Sequence, residues 1–176
     1  DAALESELRD AFNDNQFALE YQPIVDAKSL EYVGLEALIR WDHPRRGRLL
    51  PIQFIRVADE SGLMDILGNW VIGEVCREIK SYSDRGIDLP RVAINVSPRQ
   101  FQNQNICDEL LANIEANGID PSKITIEITE ELLIDNNEEV RTTLQRIRSH
   151  GVGISIDDFG TGYSSLQYLR DLPANC

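Results

Sequence analysis

The sequence predicts an α/β fold: a largely parallel sheet with helices on one side, its strands curling toward a barrel. Three observations carry this. Strand and helix signals alternate along the chain, the pattern of a parallel sheet under helical cover. Successive strands then split their residues cleanly: Ile124, Ile126 and Ile128 face one way and Thr125 and Glu127 the other, and Ile154 and Ile156 oppose Ser155 and Asp157. Val92, Ile94 and Val96 oppose Ala93 and Asn95, while Glu36, Leu38 and Arg40 share a face. Finally, the polar groups gather toward the C-terminal ends of the strands. An open doubly wound sheet wants apolar residues on both faces; a barrel with outer helices and a polar mouth fits better.

Element by element, Leu4 to Phe12 reads as a short amphipathic helix and Phe17 to Val25 as the first strand. Asp26 to Ser29 is a turn, and Tyr32 to Trp41 is the second strand. His43-Pro44 to Gly47 reads as a loop, with His43 a loop residue, and Pro51 opens a helix at a position that tolerates proline. Leu63, Leu67, Trp70, Val71, Val75 and Ile79 recur at helical spacing, giving a long core-facing helix. Three shorter repeats follow. Val92 to Val96 is a strand and Ile106 to Asn117 a helix stopped at Gly118. Ile124 to Ile128 is a strand, and Val140, Leu144 and Ile147 mark a helix closed by Gly151. Gly153 to Asp157 is a strand, and Ser164 to Leu169 begins another helix. Neither a linker nor a low-complexity segment interrupts residues 1–176, so one domain is expected.

Lys plus Arg is 17 and Asp plus Glu is 30, a formal charge of −13. That balance argues against a polynucleotide partner, which needs a basic face to replace counterions. A small anionic ligand remains compatible with a local cluster of cations. Cys76, Cys107 and Cys176 form no C-x-x-C pair, which fits a reducing cytosol better than a disulfide or zinc framework. No apolar stretch approaches a membrane span. A cytoplasmic location follows, with tethering to the inner membrane by another region of a longer protein left open.

Glu36, Asn95, Glu127 and Asp157 would meet at the polar mouth: three carboxylates and one amide oxygen, all hard donors, favouring Mg²⁺ or Mn²⁺ over zinc. Asp157 and Asp158 leave a buried strand into a glycine-rich turn, where paired carboxylates repel unless a cation relieves them. Asp158 points to the neighbouring side and could hold a second metal, and two metals form the usual clamp for phosphodiester cleavage. Plainer readings compete. Asn95 beside Ser97-Pro98 could cap a helix, Arg40 could stack on Trp41 or pair with Asp42, and Glu131 could favour a helix N-terminus.

Five stretches in order, Y21-Q22-P23-I24-V25, E36-A37-L38-I39-R40-W41, N95-V96-S97, E127-I128-T129-E130 and the loop from Asp157 to Leu166, resemble the EAL domain of cyclic-di-GMP phosphodiesterases. The resemblance implies a TIM-type (β/α)8 barrel whose first strand runs antiparallel, and hydrolysis of cyclic di-GMP to the linear dinucleotide pGpG. It matches Glu36, Asn95, Glu127 and Asp157 to metal ligands, with Asp157 shared between two Mg²⁺ or Mn²⁺ ions and Asp158 serving the second. Glu36, Asp157 and Asp158 are accordingly the candidate catalytic residues. Arg40 matches the contact to a substrate phosphate, and Gln22 and Leu38 line the nucleotide site. Glu130 matches the carboxylate that anchors the loop of Asp157 to Ser165, a loop linked in the family to homodimerisation. Sensor or GGDEF-type domains are expected elsewhere in the parent protein.

About five barrel strands fit before Cys176, whereas a complete barrel typically needs roughly 250 residues. The family continues with a strand bearing a lysine and an aspartate and another bearing a glutamate, which orient and deprotonate the attacking water. Residues 1–176 thus resemble an EAL domain truncated before its C-terminal strands, and the isolated segment is expected to be inactive. The alternatives are a catalytically degenerate EAL domain acting as a cyclic-di-GMP receptor, or a regulatory dimerisation module.

Overall fold

The computed structural model describes residues 2–102, 105–129, 132 and 138–157; of these, Ala2, Gln102 and Asp157 are described in the backbone only. Helix α1 (Ala2–Asn13) leads into β1 (Phe17–Val25) and β2 (Tyr32–His43), which β3 (Gly47–Leu49) follows. Then come α2 (Pro51–Glu60), α3 (Met64–Asp84), β4 (Arg91–Asn95), α4 (Pro98–Gln102) and α5 (Ile106–Asn117). A 3₁₀ turn (Pro121–Lys123) precedes β5 (Ile124–Thr129), and α6 (Glu138–Ser149) precedes β6 (Gly153–Asp157). The helix expected from Ser164 lies outside the described residues.

The sheet runs β1-β2-β4-β5-β6, with β3 paired to β2. β1 is antiparallel to β2, while β2, β4, β5 and β6 are mutually parallel. The antiparallel first strand and parallel remainder agree with the expected start of a barrel. Period-2 alternation then does its work. Ile39, Ile94, Ile126, Ile128 and Ile154 are buried with Leu67, Ile72, Val75, Leu110, Leu144 and Ile147 of the covering helices. The opposite face carries Glu36, Asn95 and Glu127. Burying a large apolar side chain is worth about 1.5–3 kcal/mol, so a register slip that exchanged the two faces would forfeit the core.

Local chemistry sets the ends. Gly118 caps α5 at φ +60°, and Gly151 follows α6 at φ +93°. Gln53 of α2 reaches back to accept the Leu50 N–H at 2.8 Å, and Gln100 of α4 does the same for Ser97 at 2.9 Å.

One expectation fails at the second strand. His43 is not a loop residue: β2 extends to it, β3 pairs back in a short hairpin, and the residue is only 4% exposed. Its Nδ1 accepts the backbone N–H groups of Arg45 (3.1 Å) and Arg46 (3.3 Å), which leaves Nε2 to donate to Glu7 Oε2 at 3.1 Å. The imidazole satisfies the turn from inside, and so it is buried.

Candidate active site

The polar face is built by register. Gln22 of β1 lies opposite Glu36 of β2, Glu36 opposite Ala93 of β4, Asn95 opposite Glu127 of β5, and Glu127 opposite Ser155 of β6. Partners in register share a face, so Gln22, Glu36, Asn95 and Glu127 project the same way, as the sequence requires. Asn95 Nδ2 donates to Glu36 Oε1 at 2.8 Å. Ser155 Oγ donates to Glu127 Oε1 at 3.3 Å. Adjacent strands stand about 4.8 Å apart and Glu127 lies two residues further along, so Glu36 and Glu127 are about 12 Å apart at the backbone and must lean over Asn95 to share a ligand. The Glu36 contact to Asn95 is that lean, seen from one side.

Asp157 lies opposite Thr129 at the C-terminal end of β6, one turn of the pleat beyond Ser155. Its side chain, and Asp158 and Glu130 altogether, lie outside the described residues. Among the described residues no cluster of three His, Cys, Asp or Glu side chains is arranged to hold a metal. The set that is described, Glu36, Glu127 and the amide oxygen of Asn95, is nonetheless all oxygen. With Nδ2 given to Glu36, the oxygen is the atom Asn95 has left to offer. This donor chemistry favours a hard divalent cation over a softer one.

Arg40 stands four residues beyond Glu36 on β2. It neither pairs with Asp42 nor stands free on the surface: Nε donates to Glu20 Oε2 at 2.7 Å and Nη1 to the Ile39 carbonyl at 2.9 Å. Asp42 pairs instead with Arg48, at 2.6 and 3.0 Å, and Arg48 Nη1 reaches Glu20 Oε1 at 2.7 Å. The Arg40 contact, with Arg48 beside it, holds the Glu20 carboxyl below the usual glutamate range; Arg48 does the same for Asp42. The sequence places Ser155 beside Asp157 on the polar face without giving it a role, and it singles out neither Glu20 nor Arg48. Glu20 could have been found from its alternation with Gln22; Arg48 gave no signal.

Beside Asn95 and Glu127 a cavity of about 350 Å³ opens between the strand ends and α2–α3, walled by Leu38, Ile39, Pro51, Ile55, Met64 and Ile128 among others. Leu38 is therefore on the wall next to the site. Two hydroxyls of that wall, Ser97 Oγ and Thr129 Oγ1, are buried without a hydrogen-bond partner among the described residues.

A parallel sheet bearing carboxylates and an amide at its strand C-termini can be compared with known families. The family profile described as the EAL domain matches residues 5–176. The chain belongs to the EAL domain family. It is 42% identical over 170 residues to the cyclic di-GMP phosphodiesterase NbdA of Pseudomonas aeruginosa, covering 97% of this chain and 22% of that protein. To the oxygen sensor protein DosP of Escherichia coli K12 it is 38% identical over 166 residues, 94% of this chain and 21% of the relative. Among solved structures, the PaMucR phosphodiesterase in its c-di-GMP complex superposes with a TM-score of 0.92 at 39% identity, over 98% of this chain and 70% of that one. This EAL chain thus spans about a fifth of the length of the curated relatives it matches.

Proposed function

We propose that this EAL segment belongs to a phosphodiesterase that hydrolyses cyclic di-GMP to linear pGpG. The observation that carries the reading is the hydrogen-bonded pair Glu36–Asn95 with Glu127 on the neighbouring strand, an all-oxygen donor set on the polar face. Its family membership and its likeness to a phosphodiesterase solved with c-di-GMP support the substrate.

In this reading Glu36, Asn95 and Glu127, with Asp157, would hold one Mg²⁺ or Mn²⁺ and Asp158 would serve a second. Bound cations there supply Lewis-acid charge and lower the pKa of a water. Arg40 binds a phosphoryl oxygen through the edge of its guanidinium that Glu20 and Ile39 leave open, a charge-assisted contact. Gln22 and Leu38 flank the dinucleotide and set its position relative to Glu36. Water adds to phosphorus in line as the bond to the 3′ oxygen breaks, which leaves a 5′ phosphate and a free 3′ hydroxyl. Glu130 would anchor the Asp157 loop, and the parent would be a homodimer.

The parent is read as cytoplasmic at this domain; no helix of the described residues is long and apolar enough to cross a membrane. A sensor or diguanylate cyclase partner domain is expected, since one relative is a bifunctional diguanylate cyclase/phosphodiesterase, MucR.

The test uses the full parent protein. Manganese titrated calorimetrically, and pGpG followed by chromatography, should both be present in the parent. Both should fall in Glu36→Gln and Glu127→Gln, hydrolysis by roughly 100-fold if ligand geometry is lost. Cyclic di-GMP binding without any pGpG would favour the receptor alternative, and neither binding nor cleavage would refute the reading.

A further inference from the structure

We propose that Glu20 is a positioning residue for Arg40, held in turn by Arg48, so that the β2–β3 hairpin aims the phosphate-binding guanidinium. The inference rests on the cyclic di-GMP reading above and assigns a role to residues that reading leaves idle.

The register explains why Glu20 can do this. Ala18 lies opposite Arg40 and Glu20 opposite Leu38 in the antiparallel β1–β2 pair, so Glu20 and Arg40 are diagonal neighbours on the polar face, within reach of long side chains. An arginine carries five N–H donors in a rigid plane. Glu20 takes the Nε–H at 2.7 Å and the Ile39 carbonyl takes one from Nη1 at 2.9 Å. Two fixed donors define the plane of the guanidinium. Nη2 then has no hydrogen-bond partner among the described residues and is the donor left for a ligand. The Arg40 side chain is 12% exposed, so it is a packed group and not a free surface cation.

Glu20 is itself 45% exposed and would wander if Arg40 were its single partner. Arg48 prevents this, bonding Glu20 on its other oxygen at 2.7 Å. Arg48 is fixed by a bidentate contact to Asp42 at 2.6 and 3.0 Å, and Asp42 and Arg48 are register partners across the hairpin. The relay therefore runs from hairpin backbone to Asp42, Arg48, Glu20 and Arg40.

Electrostatics alone makes the opposite forecast, and that makes the idea testable. A carboxylate beside an anion site repels the anion, so by charge alone deleting Glu20 would tighten phosphate binding. If Glu20 positions Arg40, deletion weakens it, because a guanidinium free to rotate spends less time aimed.

Affinity for labelled cyclic di-GMP is measured by rapid filtration on the full parent protein and on Glu20→Ala, Glu20→Gln, Arg40→Ala and the Glu20→Ala/Arg40→Ala double variant. Arg40→Ala should bind about 10-fold more weakly or worse, the loss of a charge-assisted hydrogen bond. Glu20→Ala should lose roughly 3- to 10-fold, short of that full loss. Glu20→Gln keeps one oxygen for the Arg40 Nε–H but turns an amide N–H on Arg48, so it should bind more weakly than the parent and more tightly than Glu20→Ala. The double variant should bind no more weakly than Arg40→Ala, the mark of a residue acting through another. Should Glu20→Ala lower the melting temperature, Glu20→Gln and the cycle still decide. Parental or tighter binding by Glu20→Ala, or additive losses in the double variant, overturns the inference while leaving the functional reading intact. A parent that does not bind cyclic di-GMP removes both.

Discussion

Gly68→Ala sets two well-characterised effects against each other, and the structure decides between them. Gly68 lies inside α3, where replacing glycine by alanine gains about 1 kcal/mol from helix propensity alone. A Cβ at this position, however, would stand 1.7 Å from Gln100 Nε2 and 2.8 Å from its Cδ. Gln100 is 3% exposed and holds the Ser97 N–H at 2.9 Å. It can retreat only into the adjoining 350 Å³ cavity, whose wall both residues share, or into a smaller one of about 60 Å³ that it lines with Asp65 and Glu109. Moving there breaks the Ser97 bond and leaves a buried donor unsatisfied, a loss of about 1–3 kcal/mol. The balance is a net destabilisation of about 1 kcal/mol, with the disturbance passing to Asn95 two residues before Ser97. Urea denaturation of the full chain should show a lower midpoint at unchanged slope. In a Gln100→Ala background the obstacle is gone, and the same substitution should raise stability by about 1 kcal/mol. If Gly68→Ala stabilises the native background too, Gln100 is not the wedge described here.

Three further outcomes follow from the packing. The hydrogen bond from His43, reinforced by Arg45 and Arg46, holds the Glu7 carboxyl below its ordinary value of 4.5. A depressed carboxyl stabilises the fold above its unfolded pKa and loses that contribution as pH falls through the folded one. Glu7→Gln should therefore reduce stability near pH 7 and flatten its acid dependence below about pH 4.5; an unchanged acid limb in chemical denaturation would contradict this. Cys76 is buried and its thiol is pushed up to about 12, with Cys107 raised by the same cause. Both should resist a thiol-specific reagent at pH 8 until denaturant is added, and mass mapping of modified peptides in native buffer would show if they do not. Gly118→Ala forces a side chain into φ +60° where nothing lies within 4 Å of the new Cβ. Strain without clash should lower stability by about 1 kcal/mol, and a thermal melt that is unchanged would refute the left-handed cap.

How much of this was legible in the sequence depends on the range of the interaction. Residues 124–128 display their faces in five letters, so the placement of Glu127 away from the core needed no structure. The same alternation put Glu36 and Asn95 on that face, and their 2.8 Å contact follows once β2 and β4 are neighbours. The β3 hairpin was missed because Pro44, Arg45, Arg46 and Gly47 have turn chemistry, while the pairing of residues 47–49 depends on β2 being present to receive them. His43 was misread for the same reason, since its burial comes from N–H groups that exist only in the closed turn. The Glu20–Arg40 contact was hidden more deeply. It requires the antiparallel register to be known to the residue, and a slip by one would have turned Glu20 to the helices. Asp158 and Glu130 fall outside the described residues, so for them the sequence remains the whole of the argument.

Under the proposed function, a chain with a formal charge of −13 has to accept a dinucleotide with two phosphates, and the charges on the polar face suggest an arrangement. Glu20, Asp42, Glu36 and Glu127 stand against Arg40 and Arg48, an excess of two negative charges among these six. Each arginine is already spent on a carboxylate: Arg48 on Asp42 and Glu20, and Arg40 on Glu20. Nη2 of Arg40 is a directed donor more than a surplus of charge, so it can choose where a phosphate sits without by itself drawing one in. Neutralisation has to come from what Glu36, Asn95 and Glu127 would bind: two divalent ions would add four positive charges, against the excess of two here and the two further carboxylates, Asp157 and Asp158, that the proposal assigns to the same ions. Recognition is thereby divided. Under the proposed function the oxygen donors at the strand ends would let the face accept an anion once loaded with cations, and the hairpin relay ending in Arg40 would fix its orientation. An acidic protein built this way has little hold on polyanions elsewhere on its surface, where the same negative charge is left uncompensated. On this proposal the acidic surface would confine the ligand to the one place where cations offset it.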